Sequence, residues 1–144
     1  MAETQILIQF KNSLISFVDE LIEQFPQEPD LIILRIFLKD QIPIEDVMTK
    51  FIYNINKNDQ ELKKYITERN EMFFLESDIF ESIAKSKSIN FKKLWRSGNL
   101  DAEEKETVWK WIDSFVKLSD LYNKAKKIVY KFYIFCKYKI FIFK

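Results

Sequence analysis

Apolar side chains recur at three- and four-residue intervals from the start of the chain. Ile6, Phe10, Leu14, Phe17, Leu21 and Phe25 form one stripe, widened by Val18 and Ile22, while Asp19, Glu20 and Glu23 lie off it. That period predicts an amphipathic helix. Pro26 and Pro29 stop it, because proline lacks the donor that a helix interior needs. Asp30 is a suitable N-cap for a second helix over 31–39. The run Leu31-Ile32-Ile33-Leu34-Arg35-Ile36-Phe37-Leu38 is apolar nearly all round, which predicts the most buried helix of the fold. Pro43 with Glu45 and Asp46 opens a third helix, faced by Val47, Met48, Phe51, Ile52 and Ile55.

The polar stretch 54–59 predicts a loop, and a fourth helix follows over 59–69 with Leu62, Tyr65 and Ile66 inward. Between 70 and 100 the pattern breaks into short pieces around Phe73, Phe74, Ile79, Phe80, Phe91, Leu94 and Trp95, and Gly98 is placed to end the last of them. Asp101 and Glu104 have capping-box spacing, the clearest helix start in the chain. Val108, Trp111, Ile112, Phe115, Leu118 and Tyr122 then share a face. Trp111 is expected inside on that face, and Trp109, two positions away, outside it. The expected architecture is all-α: a single bundle of about five to seven helices over residues 1–123, with a basic, aromatic C-terminal extension over 124–144.

Composition narrows the chemistry. The 144 residues include no histidine, one cysteine and one glycine. The first absence removes Ser-His-Asp and Cys-His nucleophiles, HExxH metal sites and imidazole switching. The others remove an internal disulfide, cysteine-rich zinc sites, a P-loop and the GxGxxG fingerprint. The densest acidic group, Asp101, Glu103, Glu104 and Glu106, sits at a helix start, where the macrodipole favours negative charge, so it reads as structural rather than metal-binding. The carboxylates around Phe73 and Phe74 read as a solvated segment rather than an acid–base pair. The sequence therefore predicts no enzyme, no catalytic residue, no cofactor and no metal. The first ten residues show no basic start followed by an apolar stretch, so no signal peptide is expected, and an intracellular setting follows.

The even net charge of +1 hides an uneven distribution. Residues 1–123 carry 16 Lys and Arg against 22 Asp and Glu, a net of −6, whereas residues 124–144 carry seven Lys and no acid. Lys outnumbers Arg by 20 to 3, as in an AT-rich coding sequence, so lysine content alone is no sign of nucleic-acid binding. In the extension, residues 128–144 contain 13 apolar residues and four Lys. A membrane-crossing helix needs about 20 mostly apolar residues, and Lys131, Lys137 and Lys139 interrupt this one. Those lysines share a face at strand period but not at helical period. At that period Phe132, Ile134, Cys136, Tyr138, Ile140 and Ile142 form one apolar face that something must cover. The candidate partner-binding residues are accordingly Trp95, Trp109, Lys131, Phe132, Ile134, Tyr138, Lys139 and Ile140.

One resemblance adds to this. The segment Phe25-Pro26 followed by Asp30-Leu31, the run Arg69-Asn70-Glu71-Met72-Phe73-Phe74-Leu75, the Leu94-Trp95 pair and the stretch from Asp101 through Trp109 to Leu118 are similar to an uncharacterised all-helical protein family of large nucleocytoplasmic DNA viruses, the giant viruses. The likeness covers residues 10–123 and carries no catalytic residues with it. It implies a viral structural or interaction protein working in the host cytoplasm, a viral factory or the virion. The expected partner is a protein (a virion or host component, or a second copy), then a membrane surface, then nucleic acid through Lys92, Lys93, Trp95 and the lysines of the extension. A viral Bcl-2-like inhibitor ranks lower, because its glycine-containing signature has no counterpart here.

Overall fold

A computed structural model describes residues 2–77 and 91–142, with side chains through Tyr138. It is all-α, and no strand occurs among the described residues. The elements are α1 (Glu3–Gln24), α2 (Pro29–Ile36), α3 (Ile44–Thr67), α4 (Glu71–Glu76), α5 (Phe91–Trp95) and α6 (Ala102–Ile142).

The bundle is built on α6. Helix α1 runs antiparallel to it: Glu20 meets Trp111, Phe10 meets Phe115, and Glu3 lies beside Lys126. Helix α3 packs against both α6 and α1. The three helices meet in a knot of phenylalanines. The Phe10 ring is 5.7 Å from Phe51 and 6.0 Å from Phe115, and Phe17 is 5.6 Å from Phe115. Edge-to-face contacts of this kind add to the area term because ring edges and faces carry opposite partial charge. A second aromatic group joins Phe74 of α4, Phe91 and Trp95 of α5, and Trp109 of α6, with centroids 4.8–6.4 Å apart.

The helix boundaries follow local chemistry. The capping box at α6 is complete: Glu104 N–H donates to Asp101 Oδ1 at 2.8 Å, and Asp101 N–H donates to Glu104 Oε1 at 3.2 Å. Gly98 takes the expected left-handed conformation, with φ of 83°. Pro29 opens α2 and Glu28 is the N-cap, so Asp30 lies two positions past the cap, in the first turn, rather than capping. The helix continues past Ile36 as one wider π turn over Phe37–Gln41, closed by Ile42 N–H to the Phe37 carbonyl at 3.0 Å.

The break expected in the polar stretch 54–59 is present and divides the Ile44–Thr67 span into two helices. Helix α3 is broken at Lys57–Gln60, where Asn58, Asp59 and Gln60 all take left-handed φ, and Gln60 Nε2 bonds Asn56 Oδ1 at 3.3 Å. Two further expectations need correction. Helix α2 is not the most buried helix: Leu31, Leu34 and Leu38 face the core, but Ile32 and Ile36 are exposed, because α2 lies on the bundle's rim and covers one stripe only. The extension is not a strand. Helix α6 runs without a break through residue 123 to Ile142. With no neighbouring strand to pair with, a lone segment satisfies its backbone donors and acceptors internally as helix. The sequence boundary at 123 is thus no linker, although core packing ends there: Tyr122 is buried, Ala125 is partly buried, and Ile128 to Tyr130 are exposed.

Candidate interaction surface

The exposed stretch of α6 grows out of its buried stretch by sequence period. Val108, Phe115, Tyr122, Val129 and Cys136 recur every seven residues, as do Leu118, Ala125 and Phe132. A seven-residue repeat keeps one face turned in nearly one direction along a helix. Over the first part of α6 that face is covered by α1 and α3. Helix α1 begins at Glu3, opposite Lys126, and beyond that point the face has no cover among the described residues. From residue 125 to 142 the backbone extends about 27 Å at the helical rise.

Large apolar side chains stand open along this length: Ile128, Val129, Tyr130, Phe132, Tyr133, Phe135 and Tyr138 are each between 44% and 67% exposed. Single exposed apolar residues are ordinary, but seven on one stretch of helix make this the candidate interaction surface. On the helical wheel, Ala125, Val129, Phe132, Tyr133 and Cys136 fall in one sector, and Lys124, Lys126, Lys127, Lys131 and Lys137 fall outside it. The lysines lie against neighbouring rings, Lys126 Nζ 5.5 Å from the centre of Tyr122 and Lys137 Nζ 5.9 Å from Tyr133. At the root, Glu3, Lys126, Lys127, Val129, Tyr130 and Tyr133 line an open hollow.

Of the residues expected to meet a partner, Lys131, Phe132 and Tyr138 are exposed on this helix and Ile134 is half-buried. The side chains of Lys139 and Ile140 lie outside the described residues. Trp95 and Trp109 do not belong to the surface. Trp95 is 1% exposed and Trp109 3%, their rings 5.3 Å apart, because Trp109 sits on the edge of α6 that faces α4 and α5. Trp111 is the tryptophan at the solvent boundary: it is partly buried and donates its indole N–H to Glu20 Oε2 at 2.7 Å. The two indoles thus exchange the places expected of them, since the inward arc of α6 reaches further toward Trp109 than the i, i+3, i+4 count predicts. Helical position also adds Ile128, Val129, Tyr130, Tyr133 and Phe135, which a strand reading of the extension passed over.

One polar constellation stands out in the body. Arg69 ends α3 in a left-handed conformation, φ 55°, with Asn70 N–H bonded to the Tyr65 carbonyl at 2.9 Å and Arg69 N–H to the Ile66 carbonyl at 3.1 Å. This is a Schellman motif with arginine where glycine is usual. The guanidinium forks onto Asp113 at 3.0 and 2.8 Å, reaches Glu106 at 3.2 Å and lies 5.3 Å over the Trp109 ring. The hydrogen bond to Asp113, opposed in part by desolvation, raises its already high pKa, so the charge is permanent. The cluster fastens the end of α3 to α6 and offers no proton to a reaction. Tyr65 is similar in kind. Its hydroxyl donates to Glu61, and that bond, with some burial and the nearby carboxylates, pushes the phenol's pKa up, away from general-base duty. Asp101, Glu104 and Glu106 are engaged in capping and in the Arg69 cluster, and no group of three potential metal ligands occurs among the described residues. Asp78 and Glu81 lie outside the described residues. Among the described residues, no helix is long and apolar enough to cross a membrane.

No family model, curated protein or solved structure matches the chain.

Proposed function

We propose that this chain is a non-enzymatic interaction protein: a helical body that carries a projecting adhesive helix and works by burying that helix's apolar and aromatic surface against a partner. One observation carries the reading. The face of α6 that forms the core through Tyr122 continues as Val129, Phe132 and Cys136 with no cover among the described residues. At roughly 25 cal/mol per Å² of apolar area, covering such a face supplies substantial driving force for association. The resemblance to giant-virus proteins extends the proposal to a virion or host component as partner, inside an infected cell.

The test is affinity capture with the full chain against the Val129→Glu/Phe132→Glu double variant, scoring both proteins and lipids retained. The two side chains lie outside the core, so the variant keeps the melting temperature of the parent. The reading expects specific captured species to vanish with the substitutions. Identical capture by both proteins overturns it. Nucleic-acid association, the rival reading, lost one of its supports when Trp95 proved to be core. It predicts instead a steep salt dependence of RNA or DNA binding, which the double variant leaves in place.

A further inference from the structure

We infer that the projecting part of α6 docks on an anionic lipid surface, lying along it with Val129, Phe132, Tyr133 and Cys136 toward the acyl chains. This rests on the interaction reading above and names its partner.

Charge complementarity carries the choice. Residues 124–138 hold five lysines and no acidic residue, and the acidic side chains of the chain end at Asp120. Two copies of the extension pressed together would bring like charges into contact with no carboxylate between them, which disfavours self-pairing. An anionic headgroup layer supplies the missing charge all along the helix. Geometry agrees with charge. The lysine-free sector of Val129, Phe132, Tyr133 and Cys136 is the apolar face of an interfacial helix. Lys126, Lys127, Lys131 and Lys137 lie on its flanks and opposite side, where their long stems reach back to headgroups. The flank also carries Tyr130, an aromatic ring with a polar tip that suits the boundary layer between water and hydrocarbon.

The acidic body fits this placement. A net charge of −6 over residues 1–123 is repelled by the same surface. That repulsion turns the acidic body away from the headgroups and leaves the attraction to the extension, whose lysines lie beyond the last core contacts of α6. Since no described helix suits a crossing, the helix lies on the surface and does not span it.

The experiment is sedimentation of the full chain with vesicles of phosphatidylcholine alone and with about 30% phosphatidylserine, at about 0.1 M salt. Binding is expected to the anionic vesicles and not to the neutral ones. Lys126→Gln/Lys127→Gln/Lys131→Gln should weaken it about 100-fold, from about five-fold per lysine near such a surface. Phe132→Glu should weaken it by at least about ten-fold through the lost apolar contact. The single cysteine, Cys136, is exposed and can carry an environment-sensitive fluorophore, whose emission should shift blue on anionic vesicles only. Equal binding to both vesicle types, an unshifted fluorophore, or indifference to the triple lysine substitution overturns the lipid assignment. Should anionic vesicles fail to bind while Val129→Glu/Phe132→Glu still abolishes capture of a protein, the partner is an acidic protein and the interaction reading stands. Loss of both ends both.

Discussion

The two parts of α6 share a helix and a repeat, yet differ in what covers them. Before Tyr122 the apolar face is enclosed by α1 and α3, with Ile112 and Phe115 at 0% exposure; after Ala125 the same kind of residue stands in water, Phe132 at 67%. Backbone hydrogen bonding is indifferent to this change, because each N–H finds its carbonyl four residues back within the one segment. Burial, and not helix formation, therefore separates body from extension. The energetic consequence is sharp: the first part of α6 should govern stability, the second part association. Charge follows the same division, with carboxylates confined to the part that packs and lysines alone on the part that does not.

The largest effect expected from this comparison is a contrast in stability. Phe115→Ala and Trp109→Ala each remove a large side chain from a packed aromatic group and should cost about 3–5 kcal/mol. Phe132→Ala, on the same helix, should change the urea-unfolding free energy by less than about 0.5 kcal/mol. A comparable loss at Phe132 would mean that the extension is packed in solution, and the division between the two parts of α6 would fall.

Next in size is the fastening between α3 and α6. Arg69→Ala removes the fork to Asp113, the bond to Glu106 and the contact over Trp109, and leaves alanine at positive φ. A loss of about 1–2 kcal/mol is expected, discounted for partial solvent exposure. Arg69→Gly should be less destabilised than the alanine variant by about 0.5–1 kcal/mol, since glycine accepts this backbone conformation without strain. The opposite order would show that residue 69 is not held in the left-handed conformation in solution. A double-mutant cycle with Asp113→Asn should give a coupling energy of the same sign.

Trp111 offers a smaller check on the helix face. Its ring is only partly buried and stacks near Phe115, at 6.2 Å, so Trp111→Phe keeps most of the packing and loses the bond to Glu20. About 0.5–1 kcal/mol is expected. A cost equal to that of Trp109→Ala would restore the reading in which Trp111 is the core indole.

How much of this was legible in the sequence depends on the range of the interaction that decides it. The capping box at Asp101 and the stripe of α1 are written in neighbouring residues, and both appear as expected. The choice between Trp109 and Trp111 depends on how α4 and α5 sit against α6, which no local pattern encodes. The helix end near Arg69 was legible, but its left-handed backbone and the fork were not, because the partners Asp113 and Glu106 are each more than 35 residues away. In the extension, alternation and helical period compete, because an apolar run dotted with lysines satisfies both counts. The residues of the projecting surface could be named one by one, but the face they form could not be settled until the helix was seen to continue.

The smallest expected effect lies where α4 meets α5. Lys92 donates to Glu76, and that hydrogen bond, aided by the lysine's charge, holds the Glu76 carboxyl below the usual carboxylate range. The sign follows from linkage: a carboxyl whose pKa is lower folded than unfolded binds its proton more readily in the unfolded chain. Its stabilising contribution is therefore full above the ordinary glutamate value of about 4.3 and disappears as the pH falls through the depressed folded value. Both partners are largely solvated, so the effect on the melting temperature should be small. Glu76→Gln should melt slightly below the parent at neutral pH, and the two melting curves should converge as the pH falls through the depressed folded value. Lys92→Met should behave alike, because either change removes the same bond. Neither substitution should alter binding by the projecting helix, since Glu76 and Lys92 belong to the body's other end. A gap in melting temperature that persists unchanged at low pH would show that Glu76 stabilises α4 by a route other than its charge.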